Sequence, residues 1–317
     1  MKRTDFLACA GAAIAAGTAA AAAAQTAAES AIALTTPTGK IAGTLTLPPK
    51  LPAPVALIVA GSGPTDRDGN SGPIHPDTYR LLAAALAGRG FASVRYDKRG
   101  IGESASAAAS ESDLRFEHYV ADAAAWLRVL RSDQRFGKIV LAGHSEGSLV
   151  GMLAVVQAPA DAFVSLEGAG RPAATVLREQ LQPKLSAALY AQADAVITQL
   201  QQGHTVANPP AELAALFRPS VQPYLISWFK YDPAADIAKV TVPVTIVQGT
   251  ADIQVTMADA DALKRGAPSA RLVVVQGMNH VLKYAPDTKS QAAILKGYED
   301  SSLPVAPEAV AAVATVV

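Results

Sequence analysis

Short apolar segments alternate with amphipathic segments along most of the chain. Strands buried on both faces of a sheet are apolar throughout, whereas helices that cover a sheet need only one apolar stripe. The helical pattern occupies 77–89, 116–131 and the residues that follow 145. Predicted strands lie at 41–47, 54–60, 91–96, 138–142, 163–166, 242–247 and 271–275. This alternation predicts an α/β fold, with a mostly parallel sheet and helices on both of its faces.

The alternation stops between about residues 171 and 238. This stretch contains no predicted buried strand, but it has a helical pattern at 176–200 and an aromatic segment at 224–231. It is about seventy residues long, whereas a crossover between parallel strands needs only about ten to twelve. We therefore predict a helical cap insertion at about 171–238, over the carboxyl edge of the sheet, where open α/β sheets bind their ligands. A long crossover on the flank of the sheet is the alternative.

The first residues of the chain have the pattern of an export signal. Lys2 and Arg3 precede an apolar, alanine-rich run at 6–24 that ends in small residues. We predict a signal peptide at 1–24, a mature domain at 25–317, and a periplasmic or secreted location. A transmembrane anchor is the alternative, and it is disfavoured because alanine contributes little to membrane insertion. No stable membrane insertion is expected once the signal is removed.

Composition narrows the range of partners and chemistries. Half of the 317 residues are apolar, and 27 lysines and arginines balance 27 aspartates and glutamates. A chain with zero formal net charge and no basic stripe gives no indication of nucleic acid binding. The single cysteine, Cys9, would be lost with the signal. The mature chain would then contain no disulfide, thiol nucleophile or cysteine-ligated metal.

A serine lies between a predicted strand and a predicted helix, in the sequence Gly-His-Ser-Glu-Gly at 143–147. A sharp strand-to-helix turn forces the central residue into a strained conformation that exposes its side chain. The two glycines allow neighbouring chain segments to approach this turn closely. The pentapeptide is a weak signal alone, but the apolar strand before it and the helix after it predict that Ser145 is a nucleophile.

A serine nucleophile needs a base, and the base needs an acid that orients it. His280 follows the last predicted strand and is expected at the carboxyl edge of the sheet, so it is the predicted base. Asp252 follows the preceding strand and is the predicted acid, with Glu167 as its rival. The remaining histidines are expected to be surface or packing residues: His75, His118, His144 and His204.

An acyl transfer also needs donors for the negative oxygen of the tetrahedral intermediate. We predict the backbone amides of Glu146 and Ser62, the latter in a glycine-rich turn with Gly61 and Gly63. Glycine would also be present if this turn were merely tight. The Glu146 side chain is expected to pair with one of three cations, or else to face solvent. Those cations are Arg95, Lys98 and Arg99.

Several segments together resemble the α/β-hydrolase superfamily. They lie at 61–70, 95–104, 143–147, 243–252 and 279–280. The chain order of Ser145, Asp252 and His280 is also that of the superfamily. More narrowly, the chain resembles bacterial exported esterases that are similar to serine aminopeptidases and dienelactone hydrolases. The resemblance implies a central eight-stranded, mostly parallel sheet, a helical cap, and cofactor-free hydrolysis of an ester or related acyl bond. One departure is that Ala60 stands where many relatives have histidine before the glycine.

The predicted function is therefore that of a serine hydrolase that cleaves carboxylic esters, with short acyl groups, through an acyl-enzyme. No metal or organic cofactor is expected, and the predicted partner is a small-molecule acyl ester. Tyr224 and Trp228, together with Gly61 and Gly63, are the candidate substrate-binding residues. An aminopeptidase or amidase, and a lactonase or thioesterase, are alternatives on the same triad. A non-catalytic binding protein is disfavoured, because it would not need all of these groups.

Overall fold

The computed structural model describes residues 27–285, 290 and 296–317. Within them, eight strands form one sheet in the order β1-β2-β4-β3-β5-β6-β7-β8. The strands are β1 (Ala28–Thr36), β2 (Gly39–Leu47), β3 (Ala53–Val59), β4 (Ala92–Tyr96), β5 (Phe136–His144), β6 (Ala162–Leu166), β7 (Val244–Gly249) and β8 (Arg271–Val275). The β1–β2 and β2–β4 pairs are antiparallel and the others are parallel. The predicted eight-stranded, mostly parallel sheet is confirmed.

Helices connect the strands and cover both faces of the sheet. They are α1 (Thr78–Ala87), α2 (Phe116–Ser132), α3 (Glu146–Gln157), α4 (Ala173–Leu181), α5 (Ala187–Gln201), α6 (Ala214–Phe217), α7 (Gln222–Trp228), α8 (Pro233–Ile237), α9 (Met257–Gly266) and α10 (Pro307–Ala314). Short 3₁₀ turns occur at Gly102–Ala107, Glu111–Asp113 and Ala211–Leu213. In the described part of the chain, no helix is both long and apolar enough to cross a membrane. The predicted signal peptide at 1–24 lies outside the described residues.

The apolar side chains of β3 are divided between two buried clusters. Val55 and Leu57 pack into a cluster with Trp126 of α2, whereas Ile58 packs on the opposite face with Leu82 of α1. All five of these side chains are essentially excluded from solvent. Because successive residues of a strand point to opposite faces, a continuous apolar run fills both layers at once.

The stretch between β6 and β7 contains helices α4 to α8. The helical pattern at 176–200 corresponds to two helices, because α4 ends at Leu181 and α5 begins at Ala187. Pro183 lies between them, and proline inside a helix both removes a hydrogen bond and clashes with the preceding turn. Ser186 then caps α5 by accepting a hydrogen bond from the Leu189 amide.

The aromatic part of this stretch packs against α2 of the sheet domain. The rings of Phe116 and Trp228 are stacked, with centroids 6.2 Å apart and planes inclined by 5°. The Phe116 amide donates a hydrogen bond of 2.8 Å to the Ser227 hydroxyl. The packing fixes α7 beside the carboxyl ends of the central strands.

Candidate active site

Ser145 occupies the sharp turn between β5 and α3. Its backbone has φ 55° and ψ −123°, in the left-handed half of conformational space that a residue with a side chain rarely adopts. A Cβ atom at Gly143 would lie 2.2 Å from the Gly147 carbonyl oxygen, and one at Gly147 would lie 2.3 Å from the Val59 carbonyl oxygen. Neither contact is possible, so both positions require glycine. The turn therefore has the strained geometry that exposes a nucleophile.

His280 and Asp252 form a hydrogen-bonded pair on the loops after β8 and β7. His280 Nδ1 lies 2.7 Å from Asp252 Oδ2, and the Asp252 side chain is fully buried. Its other oxygen, Oδ1, accepts hydrogen bonds from the amides of Gln254 and Val255, at 2.7 and 3.0 Å. Burial raises the pKa of Asp252, but the neighbouring His280 and these hydrogen bonds bring it below its ordinary value. The aspartate thus binds Nδ1, which leaves Nε2 as the proton acceptor of the ring.

Glu167, the rival acid, lies behind Asp252. It follows β6 with φ 47° and is fully buried. Its carboxyl oxygens accept hydrogen bonds from the Gly249 amide at 2.8 Å and from the Gln248 side chain at 2.5 Å. Burial and, secondly, the charge of Asp252 raise the pKa of Glu167 well above its ordinary value. Burial thus favours the protonated form of Glu167, and its hydrogen bonds hold the start of the loop bearing Asp252.

A chain of hydrogen bonds connects the turn after β3 to His280. The Gly61 amide donates to the Tyr79 hydroxyl at 2.9 Å, and this hydroxyl lies 2.9 Å from His144 Nδ1. His144 Nε2 lies 2.6 Å from the His280 carbonyl oxygen. A carbonyl only accepts, so Nε2 carries the proton and Nδ1 accepts from Tyr79. Burial lowers the pKa of His144 to about 3, so its ring is neutral.

Glu146 is buried next to Ser145, and it faces Lys98. The Lys98 Nζ and Glu146 Oε1 atoms are 3.8 Å apart, and both side chains are almost fully buried. The two other cations considered for this pairing have different partners, since Arg95 pairs with Asp68 and Arg99 with Asp122. Burial raises the pKa of Glu146, whereas Lys98 acts in the opposite direction.

A cavity of about 540 Å³ opens over Ser145. Ser62, Gly63 and Glu146 line its floor, and Tyr224 and Trp228 contribute from α7. Gly61 does not line it but is buried behind Ser145, where an added Cβ atom would come within 3.1 Å of the Ser145 Cβ. Further lining residues had no signal in the sequence, and α4 and the residues around α6 supply several of them: Ala173, Val176, Leu177, Gln180, Leu216 and Arg218. Helical periodicity alone does not distinguish a cavity-lining face from a packed one.

The structure also brings in Tyr79 and Lys98, whose contacts the sequence did not establish. Tyr79 lies in a helix whose apolar pattern explains it as core, and only its hydroxyl contacts identify a further role. Lys98 was one of three candidate partners of Glu146. Among the described residues, no group of three or more histidine, cysteine, aspartate or glutamate side chains is arranged to hold a metal ion.

Comparisons with known proteins find a family model and a relative similar to parts of this chain. The model of the family described as serine aminopeptidase, S33, matches residues 74–216, which include Ser145 but not Asp252 or His280. Esterase EstD of Thermotoga maritima is 26% identical over 246 residues. That match covers 76% of this chain but only 58% of the relative's length.

Two solved structures share the fold at low sequence identity. Est1E of Butyrivibrio proteoclasticus with bound ferulic acid has a TM-score of 0.57 at 17% identity, over 84% of this chain and 97% of that one. The α/β hydrolase GrgF of Penicillium sp. sh18 has a TM-score of 0.55 at 17% identity, over 80% of this chain and 91% of that one.

Proposed function

We propose that this chain, which has the fold of the α/β-hydrolases, is a serine hydrolase of carboxylic esters. One observation carries the proposal. A serine in a strained strand-to-helix turn lies under a cavity, and at the same sheet edge a histidine is bound through Nδ1 to a buried aspartate. EstD, which is similar in sequence, is named an esterase. Est1E, which shares the fold, binds ferulic acid, an aromatic acid.

In the proposed mechanism, His280 Nε2 takes the proton of Ser145 as the hydroxyl oxygen attacks the acyl carbonyl. Asp252 fixes the tautomer of His280 and stabilises the imidazolium that forms. The amides of Ser62 and Glu146 bind the oxyanion. His280 then protonates the leaving alcohol, and water attacks the acyl-enzyme by the same sequence of steps.

We also propose that residues 171–238 act as a cap that selects the substrate. Support comes from the cavity, because Val176, Leu177, Tyr224 and Trp228 all line it and all lie in this segment. The lining is more apolar than polar, which favours an uncharged acyl or alcohol group. Its volume, about 540 Å³, suits a short or medium chain or a single aromatic ring.

The experiment is hydrolysis of p-nitrophenyl acetate, butyrate and decanoate, and of methyl ferulate, by the protein and by Ser145→Ala. We expect the acetate or butyrate to be cleaved, and the variant to lose about a thousand-fold or more in kcat/KM. Circular dichroism of Ser145→Ala provides the control for folding. If both proteins are inert on esters but the natural chain cleaves peptide or amide substrates, the serine hydrolase mechanism is supported and the proposed ester substrate is wrong. Inertness on every substrate would favour a binding protein.

We further propose that the protein is exported and cleaved after residue 24. The support is the sequence pattern of the first residues alone. N-terminal sequencing of the protein expressed with its full leader in a Gram-negative host should give Gln25 as the first residue, in the periplasmic or secreted fraction. Retention of Met1 in the cytoplasmic fraction would contradict export.

A further inference from the structure

The peptide group between Gly61 and Ser62 is held on its carbonyl side by a buried cation. Lys98 Nζ donates a hydrogen bond to the Gly61 carbonyl oxygen. The N–H of the same peptide group belongs to Ser62, the proposed oxyanion donor. Gly61 is also fixed through its own amide, which donates to the Tyr79 hydroxyl at 2.9 Å. Both polar groups of Gly61 therefore have defined partners, and the orientation of the Ser62 N–H follows from them.

The same cation reaches the second proposed donor. Lys98 Nζ lies 3.8 Å from Oε1 of Glu146, whose backbone amide is that donor. The ammonium also lies 5.2 Å from the centre of the Tyr119 ring, and Lys98 is only 3% exposed. Burial lowers the pKa of Lys98, and Glu146 acts to raise it. Burying a charged lysine lowers the stability of the folded protein. The direct contact of Lys98 with the turn after β3 therefore indicates a role other than packing.

We propose, on the basis of the proposed hydrolase function, that Lys98 is a positioning residue of the oxyanion hole. It fixes the Gly61–Ser62 peptide and, through Glu146, connects this peptide to the other donor. A cation on the carbonyl oxygen also withdraws electron density from the peptide, which makes the N–H a stronger donor. The benefit grows with the negative charge on the bound oxygen. Lys98 therefore stabilises the transition state more than the bound substrate, and it acts on kcat rather than KM.

A purely structural role gives different expectations. Lys98→Met leaves the Glu146 carboxyl buried without a cation, so a loss of activity by this variant alone would not separate the two roles. The double variant Lys98→Met with Glu146→Gln removes both charges and keeps the side-chain volumes. If the ion pair only supported the fold, this neutral pair would restore both stability and activity. If Lys98 acts on the peptide group, stability returns and kcat stays low.

The experiment measures kcat, KM, the thermal midpoint and the affinity for phenylboronic acid, which forms an anionic tetrahedral adduct with a nucleophilic serine. For Lys98→Met and the double variant we expect kcat to fall about ten- to a hundred-fold, with KM changed less than about two-fold. The affinity for the boronic acid should fall by a factor similar to the loss in kcat/KM.

Arg99→Met is the matched control, because Arg99 is the next residue and is also a buried cation, paired with Asp122. It should lower the thermal midpoint and leave kcat and boronic acid affinity unchanged. Recovery of the natural kcat by the double variant would overturn the proposal, as would an unchanged affinity for the boronic acid. Ser145→Ala in the same assays tests the hydrolase function separately. If it is as active as the natural chain, that function fails, whatever Lys98 does.

Discussion

Two buried glutamates lie on opposite sides of the proposed triad, and their carboxyl groups have opposite surroundings. Glu146, on the oxyanion side, faces the ammonium of Lys98 at 3.8 Å. Glu167, on the acid side, makes no salt bridge among the described residues, and its neighbour is the carboxylate of Asp252. A carboxyl group taken out of water needs either a cation or a proton. The oxyanion side therefore has an ion pair, whereas on the acid side the raised pKa of Glu167 favours a single negative charge, on Asp252.

The difference matters for the chemistry at His280. A second carboxylate beside Asp252 would add like-charge repulsion, and it would compete for the imidazole ring. The raised pKa of Glu167 favours its protonated form, which can hydrogen-bond the Gly249 amide and the Gln248 side chain without that cost. On the oxyanion side the balanced charges leave the donors free to interact with the negative charge that develops during the reaction.

The largest expected loss of kcat is that of Asp252→Asn, which changes the acid that orients His280. The amide cannot stabilise an imidazolium, and it favours the wrong tautomer of His280, so kcat should fall by about ten thousand-fold. Ester hydrolysis at neutral pH measures the loss, and fluorophosphonate labelling of Ser145 should slow with it. The substitution is nearly isosteric, so the thermal midpoint should change little. A residual rate within about ten-fold of the natural chain would show that another group orients the histidine.

The same substitution, glutamate to glutamine, can be made at both positions to compare its cost in the free energy of unfolding. Glu146→Gln leaves Lys98 without its counter-charge, which should cost about 3 kcal/mol of the free energy of unfolding. Glu167→Gln mimics a carboxyl group that is already neutral, so at acidic pH its cost should be below about 1 kcal/mol. Urea unfolding of both variants measures the difference. Equal losses would contradict the assignment of the proton to Glu167.

The pH dependence of Glu167→Gln adds a second readout. The pKa of Glu167 is raised in the folded protein, so between its unfolded and folded pKa values the native state binds more protons. Stability is therefore lost as the pH rises through that interval. Glutamine cannot titrate, so the variant should gain stability relative to the natural chain from about pH 4.5 upward. A constant difference across pH would indicate that Glu167 is ionised in the folded protein.

The smallest expected loss of kcat is that of Tyr79→Phe, which breaks the hydrogen-bond chain between Gly61 and His144. The Gly61 amide and His144 Nδ1 lose their partner, at a cost of about 1–3 kcal/mol. We expect kcat to fall only a few-fold, because Lys98 still holds the Gly61 carbonyl. Thermal unfolding and ester hydrolysis measure the two effects. Leu82→Ala, in the same helix but facing the apolar core, is the control that loses stability without a specific loss in kcat.

Seven of the eight strands could be predicted because six of them are short, mainly apolar segments and one alternates regularly. The eighth, β1 (Ala28–Thr36), was missed by the pattern because most of its residues are exposed at the edge of the sheet. The break between α4 and α5 was missed because the apolar spacing continues across Pro183. The hydrophobic pattern was therefore misleading for two physical reasons. A strand at the edge of a sheet can be largely exposed, and proline cannot continue a helix.

The groups predicted at the site are brought to one edge of the sheet because each follows the carboxyl end of a strand, a position that sequence order already indicates. Glu167 also follows the carboxyl end of a strand, so its position did not show whether it or Asp252 is the acid that orients His280. Only the contacts of the two side chains distinguish them. Tyr79 was beyond prediction for another reason. Its hydroxyl reaches His144, which is 65 positions away along the chain. Contacts of this range depend on how α1 packs on the sheet.

The strands on either side of the helical segment α4–α8 pair directly with each other, from Phe163 with Val244 to Leu166 with Val247. The two ends of the segment are therefore held close together whatever lies between them. Changes in the loops of this stretch are therefore expected to leave the strand register unchanged, and with it the spacing of Ser145, Asp252 and His280, whereas buried residues such as Leu200 and Phe217 belong to the core. The residues that line the cavity can therefore be exchanged without moving the strands that carry the proposed triad.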